Sequence, residues 1–133
     1  MSLDIFAQFA TDETLEENGT WFPIGGGARV LVARSGNRKY GKMLSKEVER
    51  NKKALDLNDD AADKLSEEIM IAVIAETILL GWEDVVFKGQ ALEYSVPNAR
   101  KLLAIKDFRK MVGQFADDVS AYKFKETEEQ GKA

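Results

Sequence analysis

Thr20-Trp21-Phe22-Pro23-Ile24, then Gly25-Gly26-Gly27, then Arg29-Val30-Leu31-Val32-Ala33: the fold class turns on this stretch. The first run is aromatic and β-prone, and the second is dominated by β-branched and aliphatic residues. Three glycines between them permit the positive φ of a sharp reversal. The reading is a β-hairpin. A phosphate-cradling loop is the rival reading of the glycines, but they lead into a strand rather than a helix, and no Gly-Lys-Ser/Thr follows.

Outward from the hairpin the pattern changes to helical. Upstream, Asp4 to Asn18 is acidic, with Ile5, Phe6, Phe9 and Leu15 at roughly helical spacing and Thr11 or Asp12 as a cap for a short helix. Downstream, Ser35-Gly36-Asn37 is a turn cluster. Tyr40, Leu44, Val48 and Leu55 then define a helix over about 38–55. Asn58-Asp59-Asp60 supplies the cap for the next helix, read from Asp60 to Leu80 with Gly81 as its terminator. The second half of that helix is apolar nearly all round, which places it at the centre of the core. Val85-Val86-Phe87 and Ala91-Leu92-Glu93-Tyr94 form a second small hairpin around Gly89. Ser95 and Pro97 open a short helix through Leu103. Asp107 is read as the cap of a last helix whose stripe is Phe108, Met111, Val112, Phe115, Val119 and Tyr122. The expected architecture is a mainly helical α+β domain of three to four principal helices and two small hairpins. An acidic segment occupies residues 1–18, the domain proper 19–124, and a flexible tail 125–133.

Composition narrows the function classes. The chain has 133 residues, 44% of them hydrophobic, which suffices for one core. It contains no cysteine and no histidine. That removes disulfides, thiolate nucleophiles, thiolate metal sites, the commonest general base and the commonest metal ligand. No secretory signal is visible, and the greasiest run, from Ile69, is too short and interrupted to span a bilayer. The expectation is a soluble cytoplasmic protein with no cofactor, no metal and no catalysis.

Charge is unevenly distributed. Residues 1–28 hold five acids and no base, and 29–53 hold nine bases and two acids. Residues 54–97 hold ten acids and two bases. Such alternation favours charge matching within or between subunits over one DNA-tracking surface. Arg34, Arg38, Lys42, Lys46 and Arg50, spaced four apart, are still a stripe able to neutralise phosphates. Glu47 and Glu49 interrupt it.

The other chemical candidates have plainer readings. Asp59, Asp60, Asp63, Glu67 and Glu68 lack the spacing of a calcium loop and read as a helix cap plus a solvated face. Glu76, inside an apolar run, is either a buried acid needing a partner or the helix's one wet position. Trp82 reads as core. Trp21 and Phe22 are the candidate partner contacts, together with the basic stripe.

From Leu80 to Phe124 the sequence resembles the tail assembly chaperones of long-tailed, siphovirus-type bacteriophages. The matching run is Leu80-Gly81-Trp82, Val85, Gly89, Tyr94-Ser95, Asn98-Ala99 and Leu102-Leu103, then Phe108, Val112 and Phe115. The tryptophan-bearing hairpin, Ala33-Arg34, Gly36-Asn37 and Tyr40 are similar too, so the resemblance covers about 21–124. It implies a late protein in the host cytoplasm that coats the tape measure protein before the tail tube closes around it. The mature virion lacks such a protein. It further implies contact with the major tail tube protein, homo-oligomerisation, no nucleic acid and no membrane. Gln130-Gly131-Lys132 is compatible with a slippery run for a frameshifted longer product. The alternatives are a small nucleic-acid-binding regulator using 29–53, and a structural head–tail or tail component.

Overall fold

The computed structural model describes residues 1–124; the expected flexible tail and the slippery run lie outside the described residues. Two short helices open the chain, α1 (Ile5–Phe9) and α2 (Glu13–Asn18). The Asp4 and Asp12 carboxylates cap them by accepting from the Ala7 and Thr14 amides. The expected hairpin follows as β1 (Thr20–Gly25) and β2 (Ala28–Val32), with Gly25, Gly26 and Gly27 all at positive φ. Then come α3 (Arg38–Arg50), α4 (Lys52–Asp56) and α5 (Asp60–Thr77). The chain returns through β3 (Leu79–Glu83), a tiny hairpin of β4 (Val86–Phe87) and β5 (Gln90–Ala91), α6 (Val96–Leu103), α7 (Lys106–Ala116) and a 3₁₀ turn, Val119–Tyr122. The mainly helical α+β class is as read from the sequence.

The largest departure lies at the end of α5. The helix stops at Thr77, and the expected terminator Gly81 sits inside β3. β3 pairs antiparallel with β2, making a three-stranded sheet of order β1-β2-β3. An unbroken apolar run fits a buried helix and a buried strand equally well, so periodicity alone does not separate them. The open edge of β2 decides the matter by offering backbone partners. The register slips between Leu31 and Val32, opposite Leu79 and Gly81, where a bulge absorbs Leu80.

Three smaller corrections concern helix ends. The expected 38–55 helix breaks at Asn51, whose side chain donates to the Glu47 carbonyl at 2.8 Å. Ile105, not Asp107, is the N-cap residue of α7 and makes no side-chain cap; Asp107 stands in the first turn. The helix ends at Ala116, so Tyr122 reaches the core from the 3₁₀ turn rather than from a continuous stripe, and Val119 beside it is only half-buried. Asp59 and Ser95 cap as expected.

The core lies between the inner face of the sheet and α5, α6 and α7. Phe22, Val30 and Trp82 are register partners across the three strands and are all buried. Phe22 stacks on Phe115 of α7 at 4.3 Å between centroids. Tyr122, fully buried, donates its hydroxyl to the Val32 carbonyl at 2.7 Å. Asn37 ties the layers together. It caps α3 by accepting from the Tyr40 amide and donates to the Arg34 and Thr77 carbonyls.

Candidate partner-binding surface

Alternation along β1 sends neighbouring rings to opposite faces. Phe22 goes inward, so it is a core residue and not the surface contact read from the sequence. Trp21 goes outward and remains 37% exposed. Its row across the sheet is Trp21, Leu31 and Gly81. With no side chain at Gly81, the indole approaches to where a Cβ would be 4.0 Å from its ring. The Arg29 guanidinium lies 4.0 Å from the indole centroid and bonds Glu83 at 2.8 Å. That bond to Glu83 is the main cause raising the Arg29 pKa, and the bond to Arg29 lowers that of Glu83. The result is a flat aromatic and cationic platform held from within the sheet.

The expected basic stripe divides into parts. Arg34 is structural: it donates to the Ala116 carbonyl at 2.9 Å and lies over the Tyr122 ring. Arg50 is paired with Glu47 on its own helix. Arg38, Lys42 and Lys46 are exposed on the outer side of α3, whose partly buried positions are Tyr40, Met43, Leu44 and Glu47. These three, with Lys39, form no ion pair within 4 Å among the described residues.

A third part was not assigned to the surface from sequence. Ile5, Phe6 and Phe9 of α1 are 61%, 70% and 57% exposed, and α1 buries no residue. Phe6 stacks on Phe124, itself exposed. Close by, an open recess of about 480 Å³ is lined by Leu15, Thr20, Trp21, Ala121, Lys123 and Phe124 among others. The signal was present as apolar spacing in 4–18. Spacing shows that a helix has an apolar face, not whether its own chain covers it.

Other candidates take the plainer reading. Trp82 is buried and donates its indole N–H to the Leu92 carbonyl at 2.7 Å. Glu76 is exposed and stands 4.0 Å from Arg100. Asp59 serves as a helix cap, while Asp60, Asp63, Glu67 and Glu68 lie exposed along α5. Tyr94, edge-on to Trp82, donates to the Leu79 carbonyl, and burial raises its pKa, with a smaller contribution from Glu76. Among the described residues no helix is long and apolar enough to cross a membrane.

Comparison with curated proteins gives no match, and neither does comparison with solved structures. The family described as YdaY prophage protein matches residues 35–133, a span that takes in α3, β3 and everything after them. That is most of the chain, and the protein is therefore a phage-derived protein belonging to the YdaY prophage protein family.

Proposed function

We propose that this protein is a phage tail assembly chaperone, without catalysis, that binds and solubilises the tape measure protein while the tail tube assembles around it. It acts in the host cytoplasm and is left out of the finished virion. The observation that carries this reading is the exposed apolar group of Ile5, Phe6, Phe9, Trp21 and Phe124 on an otherwise well-packed domain. Monomeric soluble proteins rarely expose such clusters unless the cluster meets a partner. A long amphipathic chain aggregates through its apolar stripes unless another surface covers them, and aromatic side chains beside cations suit that task. Prophage origin supports the setting. Contact with the tail tube protein and a frameshifted longer product belong to the same proposal.

Co-expression with the tape measure protein encoded alongside it tests the proposal. The tape measure protein is expected to become soluble and to copurify. If it stays insoluble while the purified domain binds duplex DNA with a steep salt dependence, the nucleic-acid regulator is the correct reading instead.

A further inference from the structure

Residues 1–10 stand apart from the domain that follows them. α1 spans 5 residues, about 7.5 Å at 1.5 Å per residue, and every side chain of residues 1–9 is exposed. The limb's backbone bonds, Gln8 to Asp4 and Ala10 to Phe6, stay inside it, and no ion pair among the described residues reaches it. Its aromatic contact with the rest of the chain is Phe6 on Phe124, 6.1 Å between centroids. A helix this short is not stable by itself in water and depends on packing its apolar face. Here that face, Ile5, Phe6 and Phe9, is left in solvent.

The chain changes character at Asp12. The Asp12 amide donates to the Tyr122 carbonyl at 2.8 Å, the Arg34 amide donates to the Glu16 carbonyl at 2.9 Å, and Leu15 packs against the core. These contacts fix α2 to the domain, while Ala10, extended at φ −67° and ψ 139°, connects it to α1. The fixing point stands beside the recess, because Tyr122 lies between Ala121 and Lys123, and both line it. Leu15, Trp21 and Phe124 are its apolar walls. An apolar helical face is thus hinged at the wall of an open recess, with Phe6 on the ring that forms its rim.

We propose that α1 is a hinged cover for the Trp21 recess, turning about Ala10 and Thr11 to lay Ile5, Phe6 and Phe9 over Leu15, Trp21 and Phe124. Closing withdraws both apolar groups from water in one movement, and that withdrawal drives it. The short tether keeps the effective concentration of the limb at the recess high. The arrangement described above is the open, receptive one. A protein that presents an apolar cluster to a partner is exposed to non-specific association while idle, and a cover that yields to the partner prevents this. The inference rests on the chaperone reading for its purpose, since it regulates the same surface. Closure itself is measured on the protein alone, so its failure would leave tape measure capture untouched.

The test uses the absence of cysteine from the full chain. A bimane label attached at Gln8→Cys, on α1, is single-site, and an indole quenches it only near contact. Trp82 is buried, which leaves Trp21 as the quencher at the surface. A limb closed half the time or more should lower the label's emission about twofold relative to the same label with Trp21→Phe. Adding Ile5→Ser/Phe6→Ser/Phe9→Ser should restore emission to the Trp21→Phe level, because the apolar face is what closes. These side chains are exposed, so thermal midpoints should match the wild type and rule out misfolding. Quenching should also be independent of protein concentration, as a contact within one chain must be. Emission indifferent to Trp21→Phe would overturn the proposal, and so would quenching that survives the three serines. Quenching that grows with protein concentration would overturn it too, by assigning the contact to a second copy.

Discussion

The two faces of the three-stranded sheet carry rows of the same length and use them differently. On the inner face Phe22, Val30 and Trp82 lie side by side, each covered by helices or by the segment after β5. On the outer face Trp21, Leu31 and Gly81 lie side by side in the open, and glycine replaces bulk at one end of the row. Leu31 is flanked by a second glycine, Gly19, whose added Cβ would stand 3.1 Å from the leucine side chain. A core face gains from filled volume, whereas a contact face gains from flatness and from groups held ready for a partner. The difference shows that large rings on a strand do not by themselves mark the buried side.

The strongest way to break this contrast is Phe22→Ala. Removing a buried ring that stacks on Phe115 should cost about 3–5 kcal/mol of unfolding free energy, read by urea denaturation. A cost below about 1 kcal/mol would mean that the inner face is not the core. Next in size is the glycine pair. Gly19 has φ +88° and no room beside Leu31 and the Val32 backbone. Gly19→Ala should therefore lose about 1–3 kcal/mol. Gly81→Ala meets nothing closer than 3.7 Å and should stay within about 1 kcal/mol of wild type, on the stabilising side, since alanine suits a strand interior better than glycine. Equal losses at both positions would remove the distinction between a required glycine and one kept for flatness.

Tyr122→Phe probes the inner face more gently. The phenol donates to the Val32 carbonyl deep in the core, and its loss should cost about 1–2 kcal/mol at neutral pH. Burial, above all, raises its pKa from the ordinary 10.0. Above that ordinary value the unfolded chain gives up this proton while the native state keeps it, so the native state binds more protons and stability falls as pH rises. The contribution is whole below pH 10 and lost as pH rises through the folded-state pKa. Denaturation between about pH 9 and 11 should show a shallower alkaline decline for Tyr122→Phe than for wild type. Tyr94, also raised by burial, accounts for part of the decline that remains.

Much of the fold was legible because local chemistry dictated it. Asp12, Asp59 and Ser95 cap where their side chains permit, and Gly25-Gly26-Gly27 reverses the chain as three adjacent glycines can. Most of what was illegible depended on distant partners, and the break at Asn51 is the local exception. Leu79–Glu83 is a strand because β2, some 50 residues earlier, has a free edge; Asn51 breaks a periodic helix through a bond to its own preceding turn. The candidate surface followed the same rule. Exposed cations at 38, 42 and 46 were readable from spacing, but Arg34 was claimed by the Ala116 carbonyl and Phe22 by Phe115, and neither partner lies near in sequence. The apolar face of α1 was readable as a face; its exposure was not.

The smallest expected change in stability belongs to Trp21→Ala, and it separates the two faces most sharply. The indole touches the outer surface of the sheet, stacks under Arg29 and borders the recess near Phe124, yet no buried group depends on it for a hydrogen bond. Its removal should leave unfolding free energy within about 1 kcal/mol of wild type, as for most surface substitutions. Partner capture should respond in the opposite proportion, because an aromatic ring already fixed by its neighbours gives up little conformational freedom on docking. In the co-expression assay the variant should fold, stay soluble and recover much less tape measure protein than wild type. A variant that unfolds would make Trp21 a core residue like its neighbour. One that folds and still captures the tape measure protein fully would move the contact to α1 and α3, where Phe6, Phe9, Lys42 and Lys46 remain to carry it.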